Sequence, residues 1–208
     1  MVDHASAIDF SIPYNVHYNF DANLRELPLD RSAMERGVAW LARQIENVGN
    51  DIHAVARLKG MHGVYSRILG LLDNAEFSLK SAVELSQSVL DARLVYINEL
   101  RLAHVHQWQG RFDISTPMFE ELLMRADKDR HLGLLLDFAM QHAGKNAFDQ
   151  GKYAEALSHF AGAIALRRLK NDARLLHSTQ TAIEVTRARI TALAAAQMGA
   201  AQDSERAA

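Results

Sequence analysis

A repeat with a period of about 40 residues constrains this chain more than any other feature. The segments Gly70-Leu-Leu-Asp-Asn-Ala75, Gly110-Arg-Phe-Asp-Ile-Ser115 and Gly151-Lys-Tyr-Ala-Glu-Ala156 share one order: a glycine, a bulky residue two later, a small residue five later. Nine residues after each glycine stands a large apolar side chain (Leu79, Phe119, Phe160), and three further on another apolar one (Ala82, Leu122, Ala163). Those offsets share one helical face. Asp51, Asp91, Asp129 and Asp172 punctuate the other end of each unit. An aspartate there can accept hydrogen bonds from the unpaired N–H groups of a first helical turn and so cap it. Each unit reads as two antiparallel helices. The first runs from the aspartate to the glycine, whose freedom to take positive φ ends a helix at little cost, and the second runs to the next aspartate.

One helix pair cannot bury its apolar stripe alone, so neighbours must stack. The sequence therefore predicts an all-α chain, an α-solenoid of stacked antiparallel helix pairs with about eight helices, near 32–47, 52–69, 74–88, 92–109, 116–127, 131–150, 154–169 and 173–196. Composition agrees: 32 alanines and 26 leucines among 208 residues, with three prolines, favour helix over strand. The expected organisation is an extended arm over 1–30, a capping helix over 31–50, three helix pairs over 51–172, a second capping helix over 173–196, and a small, polar, disordered tail over 197–208. Ser32-x-x-Glu35 predicts a capping box on the first helix. Pro117 predicts that the fifth helix starts late, with Thr116 as cap and the proline at the first position.

Several function classes are excluded or disfavoured by what the chain lacks. With no cysteine there is no disulfide scaffold or thiolate site. No apolar run approaches the roughly 18 residues of a membrane span. The start MVDHASAIDF lacks a secretory signal, so a cytoplasmic home is the default expectation. A net charge of −2 gives no drive toward nucleic acid. Arg167-Arg168-x-Lys170 and Arg187-x-Arg189 read as solvated helix surface, and the segment before the first helix is too short for a helix-turn-helix module. Phosphate loops, dinucleotide glycine patterns and nucleophile elbows are missing, and the adjacent carboxylates Glu120 and Glu121 diverge. His104 and His106 point apart on a helix; His62, His104 and His142, on equivalent helices, are a conceivable metal trio against the plainer reading of solvated or hydrogen-bonded histidines. The expectation is a protein that is not an enzyme and needs neither cofactor nor metal.

The third unit carries Gly144, Gly151, Tyr153, Ala156, Phe160 and Ala163, the second Ala103, Gly110, Phe112 and Phe119, and the first Gly63, Gly70, Ala75, Leu79 and Ala82. This pattern, over residues 51 to 196, resembles the tetratricopeptide repeat family in its longer, roughly 40-residue variety. The resemblance implies that the first helix of each pair lines a ligand-binding groove. Carried over residue by residue, the lining is Arg57, Val64 and Arg67; then Ile97, Arg101, His104, Gln107 and Trp108; then Phe138, Gln141, His142, Lys145 and Phe148. That surface is basic, with aromatic and amide groups interleaved. It implies an adaptor for a protein or peptide segment, an acidic one by charge, with a peptide-sensing regulatory module or a homo-oligomeric scaffold as alternatives. Chaperone-binding members clamp a terminal carboxylate with a lysine and an asparagine; the corresponding places here hold Gly60 and Val64. In the last helix Leu176, Ile183 and Ile190 recur every seven residues, a candidate homodimer face.

The arm has no helical period but holds Phe10, Tyr14, Tyr18 and Phe20, more aromatics than a disordered tail usually carries. Its five acids against one arginine give a net of −4, while the rest of the chain carries +2. Two dockings follow. The arm can lie in the groove with its carboxylates near Arg57, Arg67, Arg101 and Lys145, or it can cap the exposed stripe of the first helix.

Overall fold

A computed structural model describes residues 10–206, with the backbone alone beyond Ala200. After a short extended stretch, β1 (Tyr18–Phe20) pairs antiparallel with β2 (Glu26–Pro28). Eight α-helices follow among the described residues: α1 (Arg31–Asn47), α2 (Ile52–Ile68), α3 (Leu72–Ser88), α4 (Ala92–Trp108), α5 (Phe112–Lys128), α6 (Leu136–Asp149), α7 (Tyr153–Lys170) and α8 (Ala173–Arg206). The chain divides into two compact units. The first holds the described residues up to Asp21 together with Arg25–Ile114, and the second holds Ala22–Leu24 and the described residues from Ser115 onward. In the first unit α1 packs on α2, α2 on α3 and α3 on α4, while α2 also meets α4; in the second α6 packs on α7 and α7 on α8, while α6 also meets α8. This neighbour order is that of a helical-repeat solenoid. The fold is all-α apart from the hairpin. Among the described residues no helix is long and apolar enough to cross a membrane.

Local chemistry explains the helix ends. Asp51, Asp91 and Asp172 accept from the backbone N–H of Ala54, Leu94 and Leu175 at 2.9, 2.8 and 3.1 Å, satisfying first-turn donors as N-caps do. Asp129 accepts from His131 N–H at 2.7 Å ahead of a 3₁₀ turn, Gly133–Leu135. At the other ends Gly70, Gly110 and Gly151 take φ of +81, +71 and +74°. The 2.9 Å bond from Leu71 N–H to Ser66 C=O closes the left-handed turn that such a glycine permits. Leu90 ends α3 in the same conformation, at φ +56°, with a side chain 90% exposed. A leucine there bears a steric cost of about 1–2 kcal/mol that glycine avoids, offset partly by glycine's larger chain entropy. Leu90→Gly is expected to raise stability by about 0.5–1 kcal/mol in urea denaturation. An unchanged or lower midpoint would deny the strain.

The small residues of the repeat let helices approach. A Cβ added at Gly63 would lie 2.5 Å from Leu79 Cγ, and one at Gly144 2.5 Å from Phe160 Cε1. Ala156, Phe160 and Ala182 form a core cluster with Leu24, Ala147 and Phe148. Ala156→Leu is expected to overpack that cluster at a cost of about 1–3 kcal/mol, lowering the urea midpoint; a wild-type midpoint would mean that Ala156 is not held between helices.

Four sequence expectations are corrected. α5 begins at Phe112 and carries Pro117 inside it. The proline deletes one backbone donor in the second turn, and the preceding Ser115 and Thr116 are tied sideways instead. Ser115 donates to Asn146 Oδ1 at 2.6 Å, and Thr116 Oγ1 accepts from Asn146 and Gln150 at 2.9 and 3.0 Å. α1 is capped by Asp30, which accepts from Ala33 N–H at 2.8 Å, while Ser32 sits within the helix and accepts from Arg36. Arg167, read as solvated, is 2% exposed. Lastly, helix α8 runs on to Arg206, where the sequence predicts a small, polar, disordered tail from 197; no proline interrupts the helix after the alanine run 194–196.

In the first unit Glu76 of α3 clasps the turn after α4. Its carboxylate accepts from Gln109 Nε2 at 2.8 Å and from Arg111 Nη1 at 3.1 Å, and pairs with Lys80 at 2.7 Å. Burial alone would raise its pKa, but the hydrogen bonds from Lys80 and Gln109, with the charges of Lys80 and His106, outweigh that and hold it at about 2. A carboxyl depressed on folding contributes stability that is complete above its unfolded pKa and drains as pH falls toward the folded one. Wild type is thus expected to lose more stability than Glu76→Gln between pH 4.5 and 2. Parallel acid titrations of the two would contradict the clasp.

Candidate functional site

The residues predicted to bind ligand lie in both units. In the first, α2 presents Arg57, Val64 and Arg67, and α4 presents Ile97, Arg101, His104, Gln107 and Trp108. The three- and four-residue spacings put each set along one side of its helix, and α2 and α4 are neighbours. The N-terminal arm lies on these residues. Phe10 stacks on the Arg57 guanidinium at 4.2 Å. Glu26 of β2, 3% exposed, accepts from Arg67 Nη1 at 2.8 Å, and Arg67 is 5% exposed. Over the Trp108 ring lie two guanidinium groups, Arg25 of the arm at 4.8 Å and Arg67 at 4.5 Å. Trp108 Nε1–H donates to His104 Nε2 at 3.2 Å, which fixes the indole and makes Nε2 the acceptor nitrogen of that imidazole.

The charges explain why this assembly holds. Two guanidinium groups over one indole each gain from the ring quadrupole but repel one another. Glu26 supplies the negative charge that makes the cluster tolerable away from water. Between these contacts the arm touches α1. Val16 and Val64 both pack against the Met34, Ile68 and Leu69 cluster, and Tyr14 lies on Arg36 at 5.6 Å. Gly37 leaves room for the arm, since a Cβ there would meet Val16 Cγ1 at 3.0 Å and Ile12 Cγ2 at 3.3 Å. Of the two dockings considered from sequence, residues 12–16 lie on the first helix, while on the arginine side only Arg67 meets an arm carboxylate, Glu26; Arg57 meets the ring of Phe10 instead, and Arg101 the amide of Asn98.

The rest of the first-unit set divides. Gln107 is 2% exposed and Ile97 half-buried. Arg101 keeps part of its surface. Burial of its guanidinium lowers the pKa to about 10; the Tyr65 hydroxyl opposes the shift and Arg57 adds to it. Its Nη1 donates to Asn98 Oδ1 at 3.1 Å. Asn98, 0% exposed, is in turn held by its Nδ2–H bond to Ser86 Oγ at 3.1 Å, and Ser86 donates to Ala82 C=O at 2.6 Å.

The second unit uses its predicted residues differently. Phe138 lies under Arg167 at 5.3 Å and Lys170 at 5.2 Å, and Gln141 Oε1 accepts from Arg167 Nη1 at 3.2 Å. Phe148 packs on Tyr153 at 5.4 Å and beneath Arg189 at 5.9 Å, and shares its cluster with Leu24. Lys145 is 3% exposed and His142 half-buried. Of the predicted second-unit residues Phe148 meets the arm at Leu24, whereas Phe138 and Gln141 engage α7. Of the three histidines considered for metal, His62 bonds to Ser78 Oγ at 2.9 Å and His104 to Trp108, and no group of three potential ligands converges among the described residues.

No family model matches this chain, and no curated protein matches it. The site therefore rests on its own geometry. Sequence reasoning named Arg67 and Trp108 and counted Glu26 only among the arm's five acids, without matching a particular carboxylate to Arg67, and it missed Tyr65 and Asn98. Glu26 lies on the hairpin and Arg67 near the end of α2, a separation that puts their pairing beyond local periodicity. Asn98 had a readable signal, a polar residue on the otherwise apolar side of α4.

Proposed function

We propose that this chain is a non-enzymatic adaptor that binds an extended, acidic peptide or protein segment on the α2 and α4 side of its first unit, and that its own arm occupies that side as a stand-in ligand. One observation carries the reading. Glu26, a carboxylate on an extended strand, is buried against Arg67 beside Trp108, the contact an acidic peptide would make. Charge-assisted bonds and aromatic anchors are what such recognition uses. The first-helix placement of Arg57, Arg67, Arg101 and Trp108 is also where the tetratricopeptide likeness puts ligand contacts.

Binding of a labelled peptide copying residues 10–29, followed by fluorescence anisotropy on the full chain, tests this. Wild type should bind weakly, because its arm competes at high effective concentration. Glu26→Gln, which weakens the arm's hold, should bind at least tenfold tighter, and adding Arg67→Met should remove the gain. Equal affinity for wild type and Glu26→Gln would refute the reading.

The exposed end of α8 favours a second reading, self-association. Ile190, Leu193 and Met198 are 39, 45 and 65% exposed, an apolar set that a second copy could cover. Sedimentation equilibrium at high micromolar concentration should then show dimer in wild type and monomer in Leu193→Glu; monomer in both refutes it.

A further inference from the structure

Among the described residues, the arm answers one arginine of this side with a carboxylate and leaves the other two without. Arg67 has Glu26. Arg57, exposed, has the face of Phe10, which attracts the cation without neutralising it. Arg101 has the neutral amide oxygen of Asn98; among the described residues no carboxylate is paired with it. Its space is provided by α2. Gly60 leaves the room that Arg101 and Asn98 use, since a Cβ there would lie 2.7 Å from Arg101 Nη1 and 2.3 Å from Asn98 Oδ1. Arg57 stands one turn before Gly60 on α2, on the side where Arg101 Nη1 lies, and its charge weighs against that of Arg101 while the Tyr65 hydroxyl favours it. Tyr65 itself is raised in pKa by burial, with Arg101 pulling the other way, so it stands there as a neutral donor.

A partly desolvated guanidinium without a counter-charge is costly. Arginine carries five N–H donors in a rigid fork that matches the two oxygens of a carboxylate or phosphate. We propose that Arg57, Arg101 and Tyr65 form an oxyanion site that takes a carboxylate or phosphate group of the bound segment, beside the place that Glu26 fills. The proposal rests on the peptide-binding reading for its biological ligand, but not for the site's chemistry. It predicts a segment with two acidic groups, one displacing Glu26 and one entering beside Arg57 and Arg101.

The probe is inorganic phosphate on the full-length protein at low ionic strength, with potassium chloride of equal ionic strength as control, read as the shift in melting temperature. A bound anion stabilises in a saturable way. Wild type should show a saturable rise with phosphate beyond that with chloride. Arg101→Gln and Arg57→Gln should each weaken the apparent affinity at least tenfold, with Tyr65→Phe intermediate. Arg101→Gln keeps an amide donor for the buried Asn98 oxygen and should melt close to wild type without phosphate, which separates loss of the site from loss of the fold. Equal phosphate responses in wild type and Arg101→Gln would overturn the site. Asp9→Asn run in parallel should respond as wild type does; a response confined to that variant would mean the chain fills the site itself, and would also overturn the proposal. Peptides copying residues 10–29 with Ser11 as serine, phosphoserine or glutamate then distinguish the source of the oxyanion. Phosphate binding without peptide binding would sink the adaptor reading alone, whereas peptide binding indifferent to Arg101→Gln would sink the oxyanion site alone.

Discussion

Asp137→Asn should be the most destabilising conservative change in the second unit, at about 3–5 kcal/mol in urea denaturation. Asp137 is 0% and Arg167 2% exposed, and Arg167 Nε donates to Asp137 Oδ2 at 3.0 Å. Around its Nη1, sharing that group's two hydrogens, stand the oxygens of Gln141, Leu175 C=O, Ser178 and Thr179 at 3.2, 3.1, 3.1 and 2.6 Å, and Lys170 bonds to the other oxygen of Asp137. This network joins α6, α7 and α8 around a single guanidinium. Removing the carboxylate charge leaves that guanidinium buried, with no path to water short of opening the helices. Replacing the pair together, Asp137→Leu with Arg167→Met, should cost less than Asp137→Asn alone, since burying two apolar groups carries no desolvation penalty. If the double change costs the sum of two single changes, the ion pair is not the unit of stability there.

Glu26→Gln also strips a counter-charge from a buried arginine, and the same reasoning would assign it a similar loss. The outcome should differ because Arg67 has an escape. Its cover is the arm, and releasing the arm returns Arg67 to water, so the loss is capped at the free energy that holds the arm down. The global effect should be about 1–2 kcal/mol, near that of one charge-assisted hydrogen bond. The large effect should be local: proteolysis within residues 10–29 at least tenfold faster, with helix content unchanged. Equal protease sensitivity would show that Glu26 does not hold the arm.

The contrast between these two arginines shows what the sequence could reveal. The repeat, the turn glycines and the capping aspartates are local signals, each complete within a few residues, and Asp51, Asp91, Gly70 and Gly151 stand where the pattern puts them. Arg167 escaped the reading because a basic run at a helix end carries no sign of which member turns inward. Its partner Asp137 belongs to a different helix, and only the packing of α6 on α7 brings them together. Pro117 departed from a local rule because that rule yielded to side-chain bonds with Asn146, on α6, and Gln150, just past its end. Of the candidate-site residues, Arg57, Arg67, Arg101 and Trp108 were named from the repeat likeness. That the arm would meet them was legible only as a charge difference between it and the rest of the chain. The pairing of Glu26 with Arg67 needed the fold.

If the arm and a peptide compete for the same residues, hydrogen exchange on the hairpin reports it most directly. Arg25 C=O accepts from Asp21 N–H, and His17 C=O accepts from Leu29 N–H, each at 2.9 Å, so both amides are protected while the arm is docked. With the full chain saturated by unlabelled deuterated peptide copying residues 10–29, protection of Asp21 and Leu29 should fall at least tenfold while that of α2 and α4 is kept. Peptide binding that leaves the hairpin amides as protected as before would contradict the competition, because the ligand would then be bound somewhere the arm is not.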